Sequence, residues 1–131
     1  MTNELDKSIL KICIVDDSNK SRQAIAEILE NAGYNITGSF SDPVQSYRES
    51  KSSGSNLYII DVVMPEMSGI ELAKKITDNS MNVSIIMMSS LHTENIIIDS
   101  ISSGASDFIQ KPFEAKDLLQ SVEKILIEKS R

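Results

Sequence analysis

Short apolar, β-rich runs alternate five times with stretches of helical periodicity along this chain. That pattern constrains the fold more than any single residue, because it is the signature of βαβ units and a parallel sheet. Ile12-Cys13-Ile14-Val15 reads as a buried strand. Ala24, Ile25, Ile28, Leu29 and Ala32 then repeat at helical spacing up to a stop at Gly33. Ile36 to Phe40 alternates as a second strand, and Asp42-Pro43-Val44-Gln45 offers a capping acid, a first-turn proline and a capping-box glutamine. Leu57 to Ile60 is a central strand. Ser68-Gly69-Ile70-Glu71 opens the third helix, Val83 to Met88 forms the fourth strand, and Ile96, Ile97, Ile98 and Ile101 sit in a helix that Gly104 ends. Phe108-Ile109 is a short last strand before a helix striped by Leu118, Leu119, Val122, Ile125 and Leu126. Crossovers of this length are right-handed, which predicts an α/β doubly wound sandwich.

The chain of 131 residues, 40% apolar, suits one domain spanning 1–131 with one core. A formal charge of −6 without a basic run points away from nucleic acid and anionic membrane as direct partners. The start from Met1 to Lys7 has no apolar stretch, so a secretory signal is not expected. The runs Leu57 to Ile60 and Ile85 to Met88 fall far short of the roughly 18 apolar residues of a membrane span. A cytoplasmic protein is therefore expected. Cys13, the one cysteine, lies inside an apolar run, where packing is the expected role.

Polar residues cluster at the carboxyl ends of the expected strands: Asp16 and Asp17, Asp61, Ser89 and Lys111. In a doubly wound sheet that edge is where reactive side chains collect. Three converging carboxylates repel one another and favour a hard divalent cation. A hydroxyl and an ammonium suit anionic oxygens. The set points to metal-assisted phosphoryl chemistry.

The chain resembles the receiver domains of two-component response regulators from about Lys11 to Lys129. The resemblance rests on Val15-Asp16-Asp17, on Ile60-Asp61-Val62-Val63-Met64-Pro65-Glu66-Met67-Ser68-Gly69, on Met88-Ser89-Ser90, and on Gly104 to Phe113 with its Lys111-Pro112 pair. It implies a flavodoxin-like (βα)5 sandwich with strand order 2-1-3-4-5. It implies that Asp61 is the phosphoacceptor, served by a histidine kinase or a phosphotransfer protein, which is nucleophilic catalysis by a carboxylate. Mg2+ would be held by Asp16, Asp17, Asp61 and the backbone carbonyl of Val63. Ser89 would bond the phosphoryl group, although threonine is commoner there. Lys111, aimed by an implied cis bond to Pro112, would pair with Asp61 or the phosphoryl oxygens. Ser89 and Phe108 match the family's switch pair. Met64 and Leu91 match positions that tune access of water to the phosphate.

Two other classes of protein fit parts of the pattern. A phosphohydrolase of the haloacid dehalogenase type needs a second acid two residues after its nucleophile, and Val63 stands there. A flavodoxin-like cofactor binder needs a phosphate-cradling loop after the first strand, where Asp16 and Asp17 would repel the ligand. The chain is thus expected to act as a signalling domain that catalyses only its own phosphorylation and dephosphorylation. No effector segment is visible, and Met1 with a helix running to Lys129 slightly favours a stand-alone regulator. The resemblance further places output on the fourth helix, fifth strand and fifth helix. If Ile98 and Ile101 face the sheet, helical geometry turns Ile96 outward and Ile97 to the flank, so Ile96, Ile97 and Phe108 are expected to form the docking surface for a target or a second copy.

Overall fold

The computed structural model describes residues 5–80 and 82–131. After a 3-10 turn at Lys7–Ile9 come β1 (Lys11–Val15), α1 (Asn19–Asn31), β2 (Asn35–Phe40), α2 (Pro43–Ser53), β3 (Leu57–Asp61) and α3 (Gly69–Asn79). Then follow β4 (Ser84–Ser89), α4 (Glu94–Ser102), β5 (Asp107–Gln110) and α5 (Ala115–Lys129). The five strands are parallel and lie in the order β2-β1-β3-β4-β5. This is the doubly wound, flavodoxin-like sandwich expected above.

Helices cover both faces of the sheet, so consecutive strand residues are buried on opposite sides. Ile12, Ile14, Leu57, Ile59, Ile86 and Met88 join Ile25 and Leu29 of α1 and Leu118, Val122 and Ile125 of α5 in one core. Cys13, Val15, Tyr58, Ile60, Ile85 and Met87 join Leu72, Ala73 and Ile76 of α3 in the other. Burial also pushes the Cys13 thiol up to about 12, chiefly by desolvation, which disfavours the thiolate.

Helix ends follow the local chemistry. Ser18, Asp42, Ser68 and Thr93 cap α1, α2, α3 and α4 by accepting backbone N–H bonds. The capping-box role expected of Gln45 has no counterpart, because the only side-chain cap of α2 is the bond from the Val44 N–H to Asp42. A reciprocal box does form at α5 between Glu114 and Asp117. Before β1, the Lys7 ammonium lies 5.0 Å from the Tyr34 ring centroid and donates to the Ala32 carbonyl at the end of α1 (2.5 Å), tying the amino-terminal turn to that helix.

The orientation of α4 departs from the expectation. Ile96 is half-buried against the second core, whereas Ile98 and Ile101 are 52% and 48% exposed and Ile97 is 37% exposed. Ile96 and the buried Ser100 and Ser103 define the inward stripe. Both serines satisfy their hydroxyls within the helix, Ser100 on the Ile96 carbonyl and Ser103 on the Ser100 carbonyl, each at 2.7 Å. A small, internally bonded serine is cheap to bury, and Gly104, at φ +112°, approaches Thr77 too closely for a Cβ. The face of α4 turned to the sheet is therefore the one that carries Ile96, not the one that carries Ile98 and Ile101. Ile96→Lys is accordingly expected to cost about 2 kcal/mol in a urea melt, and Ile98→Lys to stay within about 0.5 kcal/mol of wild type.

Candidate acid and lysine site

β1 and β3 are neighbours with Val15 paired to Ile60, so the residues that follow each strand emerge side by side. Ligand oxygens of Asp16, Asp17 and Asp61 all lie within 4.8 Å of one another. Asp16 is fully buried, Asp61 is buried at 8% exposure and Asp17 is exposed.

Asp16 is held from several directions. Its N–H donates to the Phe40 carbonyl at 3.1 Å, and its Oδ1 accepts the Ser18 N–H at 2.9 Å. Arg22 donates to its carbonyl at 2.7 Å and also to the Asn19 side chain, bracing the first turn of α1 against the acid loop. Oδ2 is left for the centre of the site. Beyond β3, the Val62 N–H bonds the Met88 carbonyl and the Gly69 N–H returns to the Val62 carbonyl, both at 2.8 Å. The loop between Asp61 and α3 is thereby folded back on the strand end that carries Asp61.

Lys111 enters from the carboxyl end of β5. Its N–H bonds the Ser89 carbonyl at 2.8 Å, and its peptide bond to Pro112 is cis, as the resemblance implies. Its ammonium lies 2.8 Å from Asp16 Oδ2 and 3.7 Å from Asp61 Oδ1. The expected pairing with Asp61 is present, and Asp16 is a second and nearer partner. Burial pushes the Asp61 carboxyl up to about 6; the Lys111 charge opposes this, Asp16 and Asp17 reinforce it, and a hydrogen bond from the Val63 backbone lowers it.

Ser89 follows Met88, the β4 partner of Asp61, and is fully buried with its Oγ accepting the Leu91 N–H at 3.0 Å. Phe108 pairs with Met87 in the sheet and is half-buried against the core that contains Val15 and Ile60. The side chain of Val63 is 51% exposed and carries no donor atom, so only its backbone can serve a ligand. Met64 is buried at 9% exposure within the core, whereas Leu91 is 52% exposed. His92 is exposed in the same loop. The sequence reading overlooked Ser21 and Arg22. The spacing from Ser18 to Ser21 and Arg22 marks the first turn of α1, but nothing local announces what those side chains reach.

An all-oxygen donor set fits a hard divalent cation such as Mg2+ better than a thiolate- or imidazole-seeking metal. Converging carboxylates also carry mutual repulsion that a cation relieves. With the adjacent ammonium, they define an anion- and cation-handling centre at the carboxyl edge of a doubly wound sheet. A family model described as the response regulator receiver domain matches residues 12–123, and the chain belongs to that family, whose members are signalling domains of two-component systems. It is 35% identical over 116 residues to the chemotaxis protein CheY of Bacillus subtilis, covering 88% of this chain and 97% of that one. It is 32% identical over 117 residues to the response regulator receiver protein CpdR of Brucella abortus, covering 89% and 97%. Among solved structures, the CheX-CheY-BeF3-Mg+2 complex from Borrelia burgdorferi matches with a TM-score of 0.84 at 29% identity, covering 88% of each chain. A CheY-like receiver from Methanospirillum hungatei matches at 0.85 and 28%, covering 92% and 97%. No helix among the described residues is long and apolar enough to cross a membrane.

Proposed function

We propose that residues 1–131 work as one receiver domain in which Asp61 accepts a phosphoryl group from a histidine kinase or histidine phosphotransfer protein and thereby switches a protein-interaction surface. The observation that carries this reading is the convergence of Asp16, Asp17 and Asp61 with Lys111 at one strand edge. An Asp61 oxygen attacks phosphorus, the bond from phosphorus to the donor imidazole nitrogen breaks, and the imidazole leaves with the bonding pair and takes a proton. Lys111 offsets negative charge on the phosphoryl oxygens, and Ser89 donates its hydroxyl to one of them once it turns from the Leu91 N–H. Asp16, Asp17, Asp61 and the Val63 carbonyl would hold Mg2+, which would neutralise charge at the phosphoryl oxygens. A relative crystallised with BeF3 and Mg+2 supports this assignment. Turnover of outside substrates is disfavoured, since exposed Val63 stands where a phosphohydrolase needs an acid.

Movement of Ser89 toward the new anion makes room at Phe108, which lies across from Met87, and passes the change to β5 and α4. The output surface then comprises the outward Ile97, Ile98 and Ile101 with the α4-β5-α5 face, in place of Ile96. The test of phosphoryl transfer is incubation with acetyl phosphate. Intact mass should rise by one phosphoryl group with Mg2+ and not with a chelator, and Asp61→Asn should gain none; labelling of the asparagine variant at the wild-type level would overturn the assignment.

A further inference from the structure

Lys111 Nζ has one contact that the phosphoacceptor reading does not use. Besides Asp16 and Asp61, it donates to Ser21 Oγ at 3.3 Å. We propose that Ser21 is a positioning residue whose hydroxyl keeps the Lys111 ammonium beside Asp61 when a divalent cation draws Asp16 away. The proposal rests on the reading that the acid cluster takes up such a cation.

The contest for Asp16 follows from its bonding. With Oδ1 committed to the Ser18 N–H, Oδ2 is the oxygen turned to the ammonium, at 2.8 Å. It belongs to the same carboxylate that faces Asp17 and Asp61, so ammonium and cation compete for it. A lysine stripped of its nearest partner regains the freedom of a long side chain, roughly 2 kcal/mol of rotamer entropy. It also has room to move, for a largely apolar groove lined by Ser21, Ala24, Ile25, Ile28 and Phe113 opens beside it. A charge that wanders into that groove no longer serves Asp61.

Ser21 is built to prevent this. Its N–H donates to Ser18 Oγ at 3.2 Å, which fixes the residue in the first turn of α1, and its hydroxyl oxygen accepts from Lys111. Its helix turn is fixed to the acid loop by Arg22, so the oxygen is presented from a rigid element on the wall of the site. A neutral hydroxyl retains the ammonium without neutralising it. A second carboxylate in that place would compete with Asp61 for the charge.

The experiment compares wild type, Ser21→Ala and Ser21→Thr, each also with Lys111→Met. Labelling by acetyl phosphate at saturating Mg2+ should be slowed roughly fivefold to tenfold by Ser21→Ala, as expected for loss of one ordinary hydrogen bond, and stay within about twofold in Ser21→Thr. In the Lys111→Met background Ser21→Ala should add nothing. The second readout is the Lys111 ammonium resonance in 15N spectra. In Ser21→Ala it should persist without metal, where Asp16 still holds it, and be lost to fast exchange with Mg2+ bound. Equal slowing in both backgrounds, or an unchanged ammonium resonance in the Mg2+-bound alanine variant, would overturn the proposal. Wild type that is never labelled would sink the phosphoacceptor reading instead, while the ammonium resonance, which needs only Mg2+, still decides the role of Ser21.

Discussion

Metal-free Asp61→Asn is expected to be more stable than wild type at pH 7, by about 3 kcal/mol. The folded protein raises the Asp61 carboxyl from 3.8 to about 6, mainly by burying it and partly through Asp16 and Asp17. At about 1.4 kcal/mol per unit, a shift of about two units gives that magnitude, and the group is too buried for solvent to screen most of it. The sign follows from proton binding. Between about pH 4 and pH 6 the folded state holds the proton more tightly than the unfolded state, so this group's contribution is full below pH 4 and is lost as pH rises through 6. Wild type should therefore lose stability across that interval while Asp61→Asn loses less. Mg2+ should close the gap at pH 7, because it binds the folded wild type and relieves the same repulsion. Urea melts at pH 4.5 and pH 7, each with Mg2+ or chelator, measure all of this; equal melts of the two proteins in chelator at pH 7 would refute it.

Gly69→Ala should cost at least about 3 kcal/mol and take the acid site with it. A Cβ at that position would stand 2.1 Å from the Asp61 carbonyl oxygen and 2.9 Å from Ile60 Cγ2. The obstacle is backbone, which no rotamer change can remove, so α3 must lift or the end of β3 must shift. Either movement stretches the 2.8 Å bond from the Gly69 N–H to the Val62 carbonyl that folds the loop onto Asp61. The measurements are the melting midpoint and acetyl phosphate labelling of whatever fraction folds. A wild-type midpoint would mean that this packing is looser than the structure shows.

Much of this architecture was legible in the sequence because both faces of a parallel sheet are buried, which writes each strand as an unbroken apolar run. Leu57 to Ile60 is the clearest case. The acids were legible for a related reason, since Asp16 and Asp61 interrupt such runs where a buried charge needs a purpose. The inward face of α4 was not, because its buried residues, Ser100 and Ser103, are polar by composition and satisfied by their own helix. Nor was the attachment of Lys111 to Asp16, a contact across 95 positions of the chain set by how the residues after β1 and β5 converge. Ser21 stayed hidden for the same reason: a serine in a first helical turn reads as capping chemistry until the partner of its hydroxyl is known.

The most direct measurement of the central claim is to locate the phosphoryl group. An aspartyl phosphate is an acyl phosphate, so borohydride treatment of acetyl phosphate-labelled protein reduces the acylated residue to homoserine, which peptide mass spectrometry can place. Homoserine is expected at position 61 and nowhere else, formed only when Mg2+ was present during labelling. Homoserine at position 16 or 17, or an added phosphoryl group that survives borohydride on Ser89, would contradict it.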